Sequence, residues 1–273
     1  MPELPEVETT KEGIKSYLDG QTIEKIIVRN SQLRLPVPTD IDLLCAGKEI
    51  KAVTRRAKYI LIHLSEGYLL IHLGMSGHLR IVPNSTLPEK HDHIDLVMNG
   101  LTLRYCDPRR FGLFVYLAED PHRHALFSHL GPEPLSENFN SDYIVQRSRN
   151  ANTPIKSFIM NNKIVVGVGN IYATESLFMA GIHPLTPAKN LTKSAYLSLV
   201  LHIKKVLQQA IEAGGTTLKD FYAFDGRPGY FRICLKAYGR KQQSCFQCNT
   251  LIDSVVIAGR QSTFCPHCQP LIK

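Results

Sequence analysis

The chain reads as an α+β protein of several domains, with a β-rich amino-terminal half, a helical segment after residue 150 and a cysteine-bearing tail. The hydrophobic period changes from about two to about 3.6 near residue 150. Gly131-Pro132-Glu133-Pro134 punctuates the junction, and four of the seven cysteines lie beyond residue 244. With 273 residues, 44% of them hydrophobic, the chain can bury a sizeable core. Its length suits two domains, or one large domain with additions. It holds no apolar run of the ~18–20 residues that would span a bilayer. The acidic, proline-containing start Met1-Pro2-Glu3-Leu4-Pro5-Glu6 is the opposite of a secretory leader, so a reducing cytoplasm is expected. A disulfide framework is not expected there.

Taken in order, Pro5 suits the first turn of a helix. Val7, Ile14, Tyr17 and Leu18 fall on one face of that helix, and Gly20 is its expected stop. Short β-like runs follow at 23–29, 59–64, 68–73, 78–82, 94–98, 101–105 and 111–117. Gly, Pro and Asn separate them, the pattern of a sandwich or barrel. The polar stretch after Gly131 reads as a linker over 132–150. Beyond it come a short apolar-faced segment at 155–160 and an amphipathic run at 171–180, introduced by Gly167-Val168-Gly169-Asn170. The longest expected helix spans 192–213, with Leu199, Val200, Ile203, Val206, Leu207 and Ile211 on one stripe. Gly214-Gly215 ends it.

Charge is uneven. Residues 1–130 hold 16 Lys+Arg against 16 Asp+Glu, and residues 131–273 hold 16 against 8, which is the whole net +8. A basic half suggests a polyanion such as nucleic acid, although an idle basic surface has the same composition.

Cys245-x-x-Cys248 and Cys265-x-x-Cys268 are separated by sixteen residues. Two such knuckles fit one tetrahedral zinc ion, and residues 251–263 between them suit a ribbon hairpin. Two redox pairs are the alternative, but neither stands at a strand–helix junction. Four thiolates leave no open coordination position, so one Zn²⁺ here would be structural. Cys45, Cys106 and Cys234 read as packing residues.

If Met1 is removed, Pro2 presents a secondary amine. Such α-amino groups titrate near ~8 rather than the ~10.4 of lysine, so about a tenth is unprotonated at neutral pH. The positive end of the following helix lowers the amine pKa, and Glu3 and Glu6 oppose that shift. A secondary amine attacking a sugar C1′ gives an iminium, which acidifies neighbouring C–H bonds. The same residues would also serve simply to start a helix, and on the segment alone that reading is preferred.

The opening Pro2-Glu3-Leu4-Pro5-Glu6-Val7-Glu8 resembles that of the bacterial formamidopyrimidine-DNA glycosylases. The resemblance continues through Arg55-Arg56-Ala57-Lys58-Tyr59, His72-Leu73-Gly74-Met75-Ser76-Gly77, Lys90-His91-Asp92-His93 and Asp107-Pro108-Arg109-Arg110-Phe111-Gly112. Residues 167–172, 214–221 and the four-cysteine tail extend it over essentially the whole chain. It implies an amino-terminal β-sandwich with flanking helices over 1–131 and a linker over 132–150. A helix–two-turn–helix domain with a lesion-capping loop would follow over 151–234, and a zinc finger over 235–273.

The resemblance also implies excision of 8-oxoguanine and formamidopyrimidines from double-stranded DNA, then β,δ-elimination, by a monomer that does not engage membranes. Pro2 would attack C1′, Glu3 would handle protons, Lys58 would serve β-elimination and Arg260 δ-elimination. Arginine stays protonated, so binding phosphate is the firmer role for Arg260. Met75, Arg109 and Phe111 would fill the space left by a flipped nucleotide. His91, Lys156 and Asn170 would contact DNA, and Lys219 would lie in the capping loop at 216–230. A metal at His91-Asp92-His93 is not expected, because the family offers none and strand alternation would separate adjacent side chains. Asn150-Ala151-Asn152 stands where close relatives carry a lysine cluster, which puts one backbone contact in doubt. Two other readings remain at this stage: an endonuclease VIII-like enzyme acting on oxidised pyrimidines, and a non-catalytic zinc-ribbon DNA binder. Leu4 and the Met75/Arg109/Phe111 trio favour the purine branch.

Overall fold

The computed structural model describes residues 2–215 and 235–272. The chain divides into two compact units, Met1–Ser128 with Ala213–Tyr230, and His129–Glu212 with Phe231–Lys273.

The first unit opens with α1 (Leu4–Leu18), which buries Leu4, Val7, Thr10, Ile14 and Leu18 at helical spacing. Tyr17, expected on that face, is instead exposed. Gly20 adopts φ +80° just past the helix end, as a stop glycine does. Next come β1 (Lys25–Val28), α2 (Ile41–Cys45), β2 (Ile50–Arg56), β3 (Tyr59–Leu64) and β4 (Tyr68–His72). They are followed by β5 (His78–Pro83), β6 (Asp92–Val97), β7 (Leu101–Cys106) and β8 (Leu113–Leu117). Two four-stranded antiparallel sheets result, ordered β1-β6-β7-β5 and β2-β3-β4-β8. They pack as a sandwich, with Ile60, Ile62, Leu69 and Ile71 from one sheet meeting Leu79, Ile94, Leu96 and Leu103 from the other. α1 contacts β2 and β3 of one sheet and β5 of the other, so the residues that begin it sit at a fixed place on the sandwich.

β6 is buried on both faces. Its outer side is covered by charges rather than by a second apolar layer. Arg104, itself buried, binds Asp95 at 2.8 Å and donates to the carbonyls of Leu87 and Thr86. Arg29 reaches Asp95, while Arg80 and the Glu89 amide both bind Asp92. These bonds pin the loop at 84–91 over the sheet.

The second unit holds α3 (Ser141–Ser148), α4 (Ile155–Ile159), α5 (Asn170–Met179), α6 (Lys193–Glu212), β9 (Asp253–Ile257) and β10 (Arg260–Phe264). Thr192 caps α6 through the Ala195 amide, and the stripe of Leu199, Val200, Ile203, Val206 and Leu207 is buried as its spacing requires. The stretch 132–150, expected to be a linker, contains α3, which packs on α6. Ile144 is its buried apolar residue and Asn140 caps it through the Tyr143 amide, a weak periodic signal in a polar segment. β9 and β10 pair antiparallel as the tail hairpin.

Candidate active site and nucleic-acid interface

In the first unit, Pro2 and Glu3 precede α1 directly, and both are buried. Glu3 is the N-cap residue, and its N–H donates to Glu6 Oε2 at 2.8 Å, the returning arm of a capping box. Glu6 is wholly buried. Gly215, at φ +84°, lies against it, and a Cβ there would stand 3.3 Å from Glu6 Cγ. The double glycine after α6 therefore lets the backbone approach the amino-terminal carboxylates closely.

Lys58 occupies the two-residue turn Ala57-Lys58 joining β2 to β3. Ala57 has φ +54°, a conformation that favours glycine and costs an alanine on the order of 1 kcal/mol. The turn is braced from α1: Arg55 donates to Glu8 Oε2 at 2.5 Å and to the Ala57 carbonyl at 2.8 Å. Burial alone would raise the Glu8 carboxyl, but hydrogen bonds and charge from Lys11 and Arg55 outweigh it and hold it below its usual range. One bonded path thus joins the Lys58 turn to the helix that Pro2 and Glu3 begin. Sequence reasoning quoted Arg55 without giving it a task, because its partner lies 47 residues away.

Met75 lies in the tight turn after β4, and Arg109 and Phe111 lie in the loop between β7 and β8. The two loops touch, since a Cβ on Gly74 would fall 2.5 Å from the Gly112 nitrogen. Phe111 is 47% exposed, unusual for so large an apolar ring, and the Arg109 guanidinium stacks on it at 4.9 Å. His91 ends the pinned loop at 84–91. Alternation is not what separates His91, Asp92 and His93, because the β6 register shifts between Asp92 and Ile94. Asp92 is instead engaged by Arg80, and His93 Nε2 bonds the Asp107 carbonyl at 2.8 Å.

In the second unit, Asn170 is the first residue of α5, after Gly167 at φ +79° and the extended cap Gly169. The positive end of a helix dipole at such a terminus suits an anion. Lys156 is not a surface cation. It is 1% exposed, and its ammonium donates to Asn170 Oδ1 at 2.7 Å and to Ser262 Oγ at 2.8 Å. It fixes the acceptor end of the Asn170 carboxamide and ties α4 to the tail hairpin. Arg260 begins β10 after the positive-φ pair Ala258-Gly259 and is exposed. It borders a recess of about 110 Å³ with Lys156, Ser157, Met160 and Asn161. Lys156, Asn170 and the hairpin bearing Arg260 therefore form one basic cradle. Lys219 and the segment 216–230, expected to cap the lesion, lie outside the described residues, as does Cys234. Cys45 and Cys106 are buried, and burial pushes each thiol up to about 12, as packing residues require.

The four tail sulfurs lie within 4.8 Å of one another, with pairs at 3.4, 3.5 and 4.0 Å. A tetrahedral site with Zn–S bonds of ~2.3 Å needs sulfurs roughly 3.8 Å apart, so the set fits zinc. Backbone N–H groups of Gln247 and Cys268 point at Cys245 and Cys265 sulfurs, as the thiolates of a zinc knuckle accept. Among the described residues no other group of His, Cys, Asp or Glu could hold a metal ion. Glu175 of α5 accepts the N–H groups of Lys236, Ala237 and Tyr238, which anchors the start of the tail.

Three family models match the chain. They are the formamidopyrimidine-DNA glycosylase N-terminal domain at residues 1–114, the H2TH domain of the same enzymes at 130–222, and the zinc finger found in FPG and IleRS at 243–271. A formamidopyrimidine-DNA glycosylase of Legionella pneumophila is 63% identical over 273 residues, all of both chains. Among solved structures, a Lactococcus lactis FPG mutant in complex with a Fapy-dG containing DNA superposes with a TM-score of 0.93. It is 31% identical, over 98% of this chain and 100% of that one. The Lactococcus lactis enzyme with an abasic site containing DNA gives 0.91 at 31% identity, over 98% of this chain and 99% of that one. Matched by these models along three successive segments and by relatives over its whole length, this chain belongs to the formamidopyrimidine-DNA glycosylase family.

Proposed function

We propose that Pro2, exposed by removal of Met1, is the nucleophile through which this protein acts on damaged DNA. The activity itself is that of a bifunctional glycosylase and abasic-site lyase on oxidised purines, with lesion-bearing double-stranded DNA as substrate and one structural zinc ion. The neutral Pro2 nitrogen attacks C1′, and the glycosidic C–N bond breaks, its electron pair leaving with the base, which takes a proton. The nitrogen then loses its own proton. Its lone pair expels O4′, which Glu3 protonates, leaving an iminium at C1′. Lys58 removes a C2′ proton, and the electrons displace the 3′ phosphate. Loss of a C4′ proton then displaces the 5′ phosphate, and water releases the sugar fragment from Pro2.

The observation that carries this reading is the Glu8–Arg55–Ala57 path. It supports a fixed spacing between the nucleophile's helix and the Lys58 turn, which successive steps on one sugar need. Asn170 and Arg260 are suited to hold flanking phosphates, and Met75, Arg109 and Phe111 to fill the vacated stack.

Borohydride reduction tests the mechanism. It traps protein on an 8-oxoguanine·cytosine duplex, amino-terminal acetylation abolishes the adduct, and Pro2→Gly, which keeps a primary α-amine, weakens it. Undiminished trapping after both changes rejects Pro2. Faster turnover of thymine glycol than of 8-oxoguanine would reject the purine preference.

A further inference from the structure

We propose that Asp107, acting through Ser76, is the positioning residue that locks the two void-filling loops into one rigid wedge. The proposal rests on the reading above that Met75, Arg109 and Phe111 enter the stack. Asp107 is completely buried, and among the described residues its carboxylate is bonded by neutral donors. Oδ1 accepts the Ser76 hydroxyl at 2.8 Å, and Oδ2 accepts the Gly112 N–H at 2.8 Å and the Tyr105 hydroxyl at 3.2 Å. Its backbone is engaged as well: the N–H donates to the His91 carbonyl, and the carbonyl accepts from Arg110 N–H and His93 Nε2.

These bonds lead to the loops that carry Met75, Arg109, Phe111 and His91. Ser76 follows Met75, and its oxygen also accepts the Arg109 N–H at 3.1 Å, so one hydroxyl bridges the loops. Gly112 follows Phe111, and its N–H on Oδ2 fixes the backbone that aims the ring. Arg110, held by the Asp107 carbonyl, has φ +57°, a strained conformation that persists only where its surroundings impose it. His91 is held through its own carbonyl. A wedge must keep its shape while it displaces a stacked base, and loops carrying exposed side chains have little apolar contact to stiffen them. The buried carboxylate supplies that stiffness through directed bonds.

Opening a base pair needs the wedge, whereas an abasic site in a single strand has neither a pair to open nor a void to fill. The test measures single-turnover excision of 8-oxoguanine from duplex DNA and lyase cleavage of a single-stranded abasic oligonucleotide. Both are measured for Ser76→Ala, Asp107→Asn, Met75→Ala and Phe111→Ala, with a thermal melt of each. Excision should fall on the order of tenfold more than lyase cleavage in Ser76→Ala and Asp107→Asn, as it does in Met75→Ala and Phe111→Ala. If Asp107→Asn does not fold, Ser76→Ala decides. Equal losses in both reactions, tracking a lower melting temperature, would mean a merely structural role and overturn the proposal. A shifted ratio in Met75→Ala and Phe111→Ala but not in Ser76→Ala overturns it while leaving the wedge reading intact. No shifted ratio in any variant removes both.

Discussion

In the sandwich, 24 of the described residues, drawn from both sheets, α1, α2 and their connecting loops, form one buried apolar cluster. Among the described residues, the tail contributes buried Ala237, Cys245, Ile252 and Cys265 to a smaller cluster closed by Phe178 of α5, with Cys248 and Cys268 packed against it. At ~25 cal/mol per Å² of apolar surface, the first can offset the entropy of ordering its chain and the second cannot. The tail makes up the difference with directed bonds to a metal and with the carboxylate clamp of Glu175. The lesson is one of failure modes. A packed core loses stability in increments as methyl groups are removed, while a metal-held module is lost outright.

The largest expected effect follows directly. Chelation of zinc, or Cys265→Ser, unfolds the tail hairpin and abolishes DNA binding, while the sandwich keeps its unfolding midpoint. Metal analysis, gel-shift titration and circular dichroism check this, and a shared loss of both halves would break the contrast. The matching change in the sandwich, Ile71→Ala, costs about 2–5 kcal/mol yet leaves about one zinc per chain, readable from urea melts and metal content.

Acid acts on the sandwich through named groups. Burial, then the positive charges of Arg34 and Lys58, lower His72 to about 4, and its Nδ1 accepts the Gly74 N–H as a neutral ring must. A histidine depressed in the folded state contributes stability that is full above the unfolded value of ~6.5 and lost as pH falls toward 4. Asp95 continues the trend lower still: burial would raise it, but the bonds from Arg104 and Arg29 outweigh that and keep it ionised. The sandwich should therefore weaken between pH 6.5 and 4, and His72→Gln should flatten that slope in urea midpoints measured across the range.

The smallest effect concerns salt. Asn150 and Asn152 are exposed, and Lys replacements at both should raise affinity at high salt and steepen its log–log dependence by at most about 2.

Much of this was readable from residue patterns. The α6 stripe, the hairpin within the tail and the change of period near residue 150 each depend on neighbours a few positions apart. β2 was not expected, because Lys51, Thr54, Arg55 and Arg56 dilute its pattern, and pairing with β3 is what makes it a strand. α3 was hidden in the same way. Lys156 is expected at the DNA, but that its ammonium also bonds Asn170 and Ser262 was not legible, because 106 residues separate it from the latter.

The amino-acid order alone specified the module sequence and the four-thiolate centre, because each rests on local spacing. Which side chains act together was decided only by folding. Glu8 meets Arg55, Ser76 meets Asp107 and Lys156 meets Ser262 across gaps of 47, 31 and 106 residues. Hydrogen bonds act over about 3 Å, and no periodicity encodes which distant segments packing will bring that close.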